Sequence, residues 1–477
     1  MSGTITETAE LCIVGAGISG LNALYAASKI LPAGSKVVLV DKNLAVGGMW
    51  NEVYDYVRLH QPHPFFTVGD IKWQIDKPDA YLANKQEILT HFQYCLKQLR
   101  TRLDITELLG YEYLSHAEDD SGVVELTCRN LSSQKTLQVQ AARLVKSTGF
   151  NVLPNTPLKL SCTQLHSTTT EDPVLFSPQM RESDKPVYII GGGKTAMDTA
   201  CQLIKRYPEK NINVIAGRGT YFINREALFP AGVKRYWQGT LLLDLFKECA
   251  LRFNGDNERE LTAFMKRYCH APDSGAEHHF FGLLSLEELT VIKSGCREII
   301  MDYLDDILEQ GGVVKMYFRK REPMTIESGS WVINCTGSLL RSSSPPEPYI
   351  SQSGRVMCVN QTDSSIVFSS FGGYFLGHMF LDEKLKDYPL YGMNHEALIK
   401  ANKEAYPFVA FTQLLYNFYT LMEALPLQTI LRCHLDFHKW YPLHRQAFVM
   451  TKLLLNKKRY RRHFKQSLDR FHERYGL

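Results

Sequence analysis

The stretch Cys12-Ile13-Val14-Gly15-Ala16-Gly17-Ile18-Ser19-Gly20 decides the fold, and it has a counterpart in Tyr188-Ile189-Ile190-Gly191-Gly192-Gly193-Lys194-Thr195-Ala196. Each starts in a short apolar run that reads as a buried parallel strand. Each then opens a segment of helical spacing, through Leu21, Leu24, Tyr25 and Ile30 in the first and Ala200, Leu203 and Ile204 in the second. Strand, glycine turn and helix in that order are what a dinucleotide fingerprint requires. Gly15 and Gly191 allow the tight turn, Gly17 and Gly193 let backbone approach a pyrophosphate, and Gly20 and Ala196 keep helix close to strand. The pyrophosphate then lies on the free N–H groups of a helix N-terminus, where Lys194 and Thr195 stand in the second copy. Two such turns predict an α/β protein with two Rossmann-like dinucleotide-binding domains.

Residues about 20 positions further on make the two sites unequal. Val37-Val38-Leu39-Val40 ends in Asp41, followed by Lys42, and a carboxylate at that strand tip accepts the hydroxyls of an unphosphorylated ribose, as in FAD or NAD. After the second turn, Val214-Ile215-Ala216-Gly217 leads instead into Arg218. No acid stands there to repel a 2′-phosphate and a guanidinium can grip one, which favours NADPH.

Composition agrees with a two-nucleotide enzyme and removes rivals. At 477 residues, two or three domains are expected, and 44% hydrophobic with 22% charged residues suits a globular chain with an ample core. The eleven cysteines are scattered singly, without C-x-x-C or zinc-ligand spacing, so dithiol chemistry and a metal site are not expected. The first ten residues lack the regions of a secretory signal and no run reaches 18 apolar residues, making a cytoplasmic location the expectation. From Lys439 to Leu477 eleven Lys and Arg face only Asp469 and Glu473. Phe448, Leu453, Leu454, Leu455, Tyr460, Phe464, Leu468 and Phe471 recur there near helical spacing. The tail is therefore a basic amphipathic helix, packed on the body or resting on an anionic membrane surface. No motif accompanies this charge to suggest nucleic acid.

The order of parts is interleaved. Residues 108–149 alternate as a small antiparallel meander and close on Ser147-Thr148-Gly149; Trp331-Val332-Ile333-Asn334-Cys335-Thr336-Gly337 closes a second such stretch. Each small-Thr-Gly segment suits a strand end where the chain crosses between domains near a cofactor. The expected division is an FAD domain of residues 1–165 and 338–400, with Ser342 to Pro348 as a hinge. An NADPH domain of 166–337 is inserted in it, and a helical basic region of 401–477 follows. Within the NADPH domain, residues 226–310 form an insertion whose Leu241 to Leu251 and Ile299 to Leu308 patterns read as helical. Its Phe229, Tyr236, Trp237, Phe246, Phe253, Phe280 and Phe281 suit either an aromatic lid or an ordinary subdomain core. Phe368 to His378 reads as a flavin-reaching loop or a hairpin, and Pro407 to Pro426 as a buried helix or groove lining.

In these motifs the chain resembles the flavin-containing monooxygenase family, the class B flavoprotein monooxygenases that include Baeyer–Villiger enzymes. Gly47-Gly48-Met49-Trp50 resembles the family's GGxW loop along the flavin. Gly219 to Arg225, after Arg218, is similar to its segment around the NADPH phosphate, and Gly149 with Thr336 and Gly337 match its paired crossings. Two departures stand out. The linker fingerprint FxGxxxHxxx(Y/F/W) survives only in Leu160 to Ser167, which keeps His166 and lacks the Phe and Gly. The segment Tyr54 to His63 resembles the flavin-edge segment but carries His60, with Gln61 beside it, where many members have an Asn.

The resemblance implies FAD reduced by NADPH, a C4a-(hydro)peroxyflavin formed with molecular oxygen, and insertion of one oxygen atom into a small lipophilic substrate. Nitrogen or sulfur oxygenation and Baeyer–Villiger oxidation of a ketone remain open. His60 or Gln61 would hold the peroxide, and a titrating His60 would make the reaction class depend on pH. A reductase or oxidase releasing hydrogen peroxide, and a non-catalytic nucleotide-binding protein, are the alternatives.

Overall fold

A computed structural model of the chain describes residues 6–119, 121–149, 154–337, 347–359 and 368–477; the side chains of residues 6, 278–281 and 369 are outside the description. Leu11–Val14 is buried at every position and lies between Lys36–Asp41 and Leu144–Lys146 in a five-stranded parallel sheet. Apolar runs of this kind suit a sheet covered on both faces. Asp104–Leu109 forms one edge and Val356–Cys358 the other. The chain thus returns to the first sheet after the whole second nucleotide fold has been built. That second sheet is also parallel, in the order Cys296–Ile300, Ile212–Ile215, Val187–Ile190, Trp331–Asn334 and His166–Thr169. The interleaving expected from the paired crossings is therefore the observed architecture.

Both meanders are present. Tyr111–Glu118, Val124–Asn130 and Thr136–Ala141 pair antiparallel, with Thr6–Ala9 added parallel to the last. Leu304–Gln310, Val313–Phe318 and Met324–Ile326 form the second.

Three sequence expectations change. Leu242–Arg252 is the expected helix, but Ile299 to Leu308 is not helical: it contains the end of strand Cys296–Ile300 and the start of strand Leu304–Gln310. The insertion is therefore mixed rather than helical, and it includes the strand His278–Leu284. Ile299, Ile300, Leu304, Ile307 and Leu308 fit a helical stripe as well as two short strands. Pairing with Ile212–Ile215 and Val313–Phe318, which spacing alone cannot show, selects the strands. The segment Phe368 to His378 is neither loop nor hairpin. It is a helix with a π turn over Gly372–Leu376, laid on Ile18–Ile30 so closely that a Cβ on Gly373 would come 2.1 Å from the Ser19 carbonyl.

The aromatic residues of the insertion are mostly core: Phe229, Phe246 and Phe253 are buried, Tyr236 and Trp237 are exposed, and the side chains of Phe280 and Phe281 lie outside the described residues. Residues 342–346, most of the hinge stretch, are also outside them. Tyr406–Ala424 is a buried helix whose Gln413 and Asn417 side-chain amides hydrogen-bond to the Tyr391 backbone. Among the described residues no helix is long and apolar enough to cross a membrane.

Ile307 is fully buried in the second meander, whereas Glu309 on the same strand is exposed. Ile307→Ala should therefore cost about 2–4 kcal/mol in urea unfolding and Glu309→Ala less than about 0.5 kcal/mol.

Candidate functional site

The two crossings pack on the two turns in the same way. A Cβ on Gly15, at φ +99°, would lie 2.2 Å from the Ser147 carbonyl oxygen; one on Gly191, at φ +141°, would lie 2.7 Å from that of Cys335. Ser147 Oγ also donates to the Val14 carbonyl at 2.8 Å. Gly20 is equally constrained, since a Cβ there would meet the Gly15 carbonyl oxygen at 1.8 Å. Thr336 follows Cys335 with its hydroxyl on Asn334 Oδ1 at 2.6 Å, and Gly337 and Gly149 are the last described residues of the two crossings.

Both turns satisfy the physical demands of a bound dinucleotide. Gly17 and Gly193 are the N-caps of Ile18–Ile30 and Lys194–Arg206, and neither helix has a side-chain cap, so first-turn N–H groups stay free for an anion. A Cβ on Gly193 would meet no atom within 4 Å, and the nearest atom to one on Gly17 is the Gly48 Cα at 3.4 Å. Gly48 thereby places the Gly47-Gly48-Met49-Trp50 loop over the first turn, with Met49 exposed and Trp50 edge-on to Phe66 at 5.6 Å. Asp41 is buried, and its carboxylate accepts from the Ala16 N–H at 2.6 Å and the Asn43 N–H at 2.8 Å. Each oxygen keeps a second lone pair for a ribose hydroxyl. Burial pushes the Asp41 carboxyl up against the lowering effect of these two bonds. Lys42 pairs with Glu52 at 3.1 Å. Arg218 is exposed at the tip of the corresponding strand in the second sheet, with Glu277 at 3.5 Å as a loose, exchangeable partner.

Between the domains lies a cluster whose members were legible singly but not as a group. Lys194 pairs with Asp198 and, at 3.2 Å, with Glu288; Arg225 pairs with Glu288 at 2.8 Å. These four side chains are only 12–20% exposed. Arg225 Nε also donates to the His60 carbonyl at 2.8 Å, so the guanidinium expected near the cofactor phosphate ties the flavin-edge segment to the second domain. Tyr54 donates to Asp198 at 3.1 Å, and the Tyr56 hydroxyl lies 2.8 Å from Thr199 Oγ1. Thr195 anchors the same face, its carbonyl accepting from Thr199 at 2.8 Å. Glu288 is in addition the N3 residue of a capping box with Ser285. Sequence reasoning missed Glu288 and Asp198; the Ser285-Leu286-Glu287-Glu288 pattern marks a helix start but not a partner 94 positions away.

The charges in this cluster set one another. Burial would raise the Glu288 carboxyl, but Lys194 and Arg225 outweigh it and bring it to about 2. For Asp198 burial prevails and the carboxyl is raised despite Lys194. His60 is partly buried, and burial followed by the positive charges of Lys194 and Arg225 lowers its imidazole to about 3. The ring is neutral at physiological pH, which corrects the expectation of a titrating His60. Gln61 is also partly buried. His166 stands apart, exposed and stacked on Trp331 at 4.4 Å. It begins its strand in register with Trp331, at the edge of the sheet opposite the strand ends that carry Gly191.

Comparison with known proteins agrees with this geometry. Residues 9–227 match the family described as pyridine nucleotide-disulphide oxidoreductase. An uncharacterized protein of Mycobacterium tuberculosis is 26% identical over 239 residues, 47% of this chain and 41% of its own length. Cyclopentanone 1,2-monooxygenase of a Comamonas species is 25% identical over 165 residues, 33% of this chain and 27% of its own. The chain thus spans less than half the length of these curated relatives. Among solved structures, the polycyclic ketone monooxygenase of Thermothelomyces thermophila superimposes with a TM-score of 0.53 at 14% identity, over 91% of this chain and 86% of that one. A cyclohexanone monooxygenase mutant from Rhodococcus sp. Phi1, bound to NADP+, also gives 0.53, at 12% identity over 87% and 91%. The chain therefore shares the fold of these two ketone monooxygenases. The resemblance read from the turns, the GGMW loop and the crossings holds for the architecture as a whole.

Two outcomes follow from the turns and the cluster. Gly191→Ala, strained and blocked by backbone, should destabilise the protein by about 2–3 kcal/mol in chemical unfolding. Gly193→Ala should leave stability within about 0.5 kcal/mol yet weaken NADPH binding in a fluorescence titration. The lowered His60 value also has a stability consequence. Below 6.5 the unfolded chain takes a proton that the folded ring refuses, so the contribution of His60 to stability falls between pH 6.5 and about 3. His60→Asn should accordingly flatten the acid limb of a pH–stability profile.

Proposed function

We propose that the protein is an NADPH-dependent FAD monooxygenase that inserts one atom of molecular oxygen into a small lipophilic substrate. The oxygen goes to nitrogen or sulfur, or into a ketone in a Baeyer–Villiger reaction. The observation that carries this reading is the tether between the flavin-edge segment and the second glycine turn. Tyr54 and Tyr56 hold residues 54–60 against the helix that begins at Lys194, and Arg225 holds the His60 carbonyl, which supports a reading in which the two nucleotides work together.

Gly15, Gly17, Gly20, Asp41, Gly48, Met49 and Trp50 would hold FAD, with Gly149 at the crossing. Gly191, Gly193, Lys194, Thr195, Ala196 and Arg218 would hold NADPH, with Thr336 and Gly337 at the other crossing. Bound together, these cofactors supply hydride transfer and activation of oxygen. The chain's own residues set the conditions for that chemistry. A neutral His60 ring can donate one hydrogen bond and accept another at the flavin edge, and it brings no charge into the cleft. The Gln61 amide offers a donor that does not titrate. Arg225 fixes the His60 backbone, which limits the positions open to the ring. Aromatic packing of Phe65 on Phe229, with ring centroids 6.2 Å apart, backs the segment and helps exclude water.

A second reading, an NADPH oxidase that releases hydrogen peroxide, draws on the placement of His166 away from the nucleotide edge. The two readings separate in one measurement on the purified, FAD-loaded protein supplied with NADPH, oxygen and a panel of amines, sulfides and ketones. A monooxygenase yields oxygenated product in near-equal amount to the NADPH consumed for at least one substrate class. Hydrogen peroxide matching the NADPH consumed with every substrate overturns the proposal. Because His60 is neutral, the wild type and His60→Asn should show activity profiles of the same shape between pH 6 and 9.

A further inference from the structure

The sequence treats the basic tail as one amphipathic helix, but the structure breaks it at Asn456 into Leu443–Leu455 and Lys457–Tyr475. The two halves have opposite fates. Phe464, Leu468 and Phe471 of the second helix are fully buried against the body, so its apolar stripe is used up in the core. The first helix buries only Val449 and Leu453. Its outer face leaves Leu443 79%, Phe448 61% and Leu455 81% exposed. Beside it the turn Gly232–Tyr236 and the following Trp237 present Val233 and Trp237, each 66% exposed. The two elements are fastened together: Arg445 donates to the carbonyls of Arg235 at 3.0 Å and Gly239 at 2.8 Å, and Tyr236 stacks on His444 at 6.4 Å. Large apolar side chains gathered on one rigid face of a protein mark a binding surface.

The charge around this face identifies what it binds. Leu443 to Leu468 contains no carboxylate, and neither does the stretch 231–241. Lys234, Lys452, Lys458, Arg459 and Arg462 are exposed, and among the described residues none of them forms an ion pair. By contrast Lys457 and Arg461 share the one carboxylate of Glu423, and Lys465 pairs with Asp469. A second copy of the chain would bring the same uncompensated cations face to face. A Trp–Leu–Phe surface rimmed by free Lys and Arg, on a helix lying flat rather than spanning, has the chemistry of an interfacial anchor.

We propose that the face formed by Leu443–Leu455 and residues 233–237 docks on the surface of an anionic phospholipid bilayer, with Trp237, Leu443, Phe448 and Leu455 entering the headgroup boundary. Lys458, Arg459 and Arg462 supply the attraction for the headgroups. This proposal is independent of the activity assigned above, since it rests on surface chemistry remote from the glycine turns.

Co-sedimentation of the 477-residue protein with vesicles of phosphatidylcholine alone or mixed with phosphatidylserine tests it. Binding is expected to the mixed vesicles, to fall as salt is raised to 0.5 M, and to be weak on phosphatidylcholine alone. Two variants separate the contributions: Phe448→Asp with Leu455→Asp, and Lys458→Glu with Arg459→Glu and Arg462→Glu. All these positions are exposed, so both variants should keep the wild-type Tm while each binds the mixed vesicles roughly tenfold more weakly. The proposal is overturned if the wild type ignores the mixed vesicles, or if either variant binds them as the wild type does. It is equally overturned if the wild type is a dimer that the Phe448→Asp, Leu455→Asp variant converts to monomers without vesicle binding, which would make the face a self-association surface.

Discussion

The structure depends on a buried ionic knot: Lys194 between Asp198 and Glu288, and Arg225 between Glu288 and the His60 carbonyl. Four charged groups withdrawn from water are stable only when they compensate one another, and removing one partner from such a set leaves the rest unpaired at a cost of about 3–5 kcal/mol. The charge pairs themselves all lie within the second nucleotide fold, and hydrogen bonds from Arg225 to the His60 carbonyl and from Tyr54 to Asp198 carry the set across to the first. Lys194 opens the helix after the second glycine turn, Glu288 caps a helix of the insertion, and His60 belongs to the segment expected at the flavin edge. The position of residues 54–60 against the second nucleotide fold is therefore set by these hydrogen bonds as well as by the packing of Tyr56 on Phe176.

The same knot decides the chemistry available at the cleft. Burial, followed by the two cations, lowers the His60 imidazole to about 3, so at neutral pH the ring can serve only through hydrogen bonds. Around the knot, the glycine turns are held by steric contact. The first glycine of each turn sits against a carbonyl of its own crossing, Ser147 or Cys335, so the turn and the crossing form one unit in both domains. The repeated arrangement explains why the small residues before Gly149 and Gly337 stand where they do.

Beyond the cleft, the insertion and the C-terminal helices share an apolar core with the flavin-edge segment. Phe65 packs on Phe229 and on Trp440, whose indole N–H donates to the Pro230 carbonyl at 3.0 Å. The exposed face of Leu443–Leu455 is therefore mounted on elements that reach back to residues 54–66, not on a loose tail.

The local pattern of the chain determined the two strand–turn–helix units, Asp41 and Arg218 beyond their second strands, the paired crossings and thus the interleaved architecture. Each of these rests on short-range geometry: a turn that only glycine fits, or an acid at a strand tip. Tertiary structure alone decided the rest. Ile299 to Leu308 became strand because its partners, Ile212–Ile215 and Val313–Phe318, were there to receive it. Arg225 was paired with Glu288, and the His60 imidazole was lowered by burial and then by two cations distant in sequence. The tail, uniform as a pattern, was divided into a buried helix and an exposed one by which residues found a core to join. Pairing, burial and charge compensation depend on residues far apart along the chain, and spacing within a segment carries no information about them.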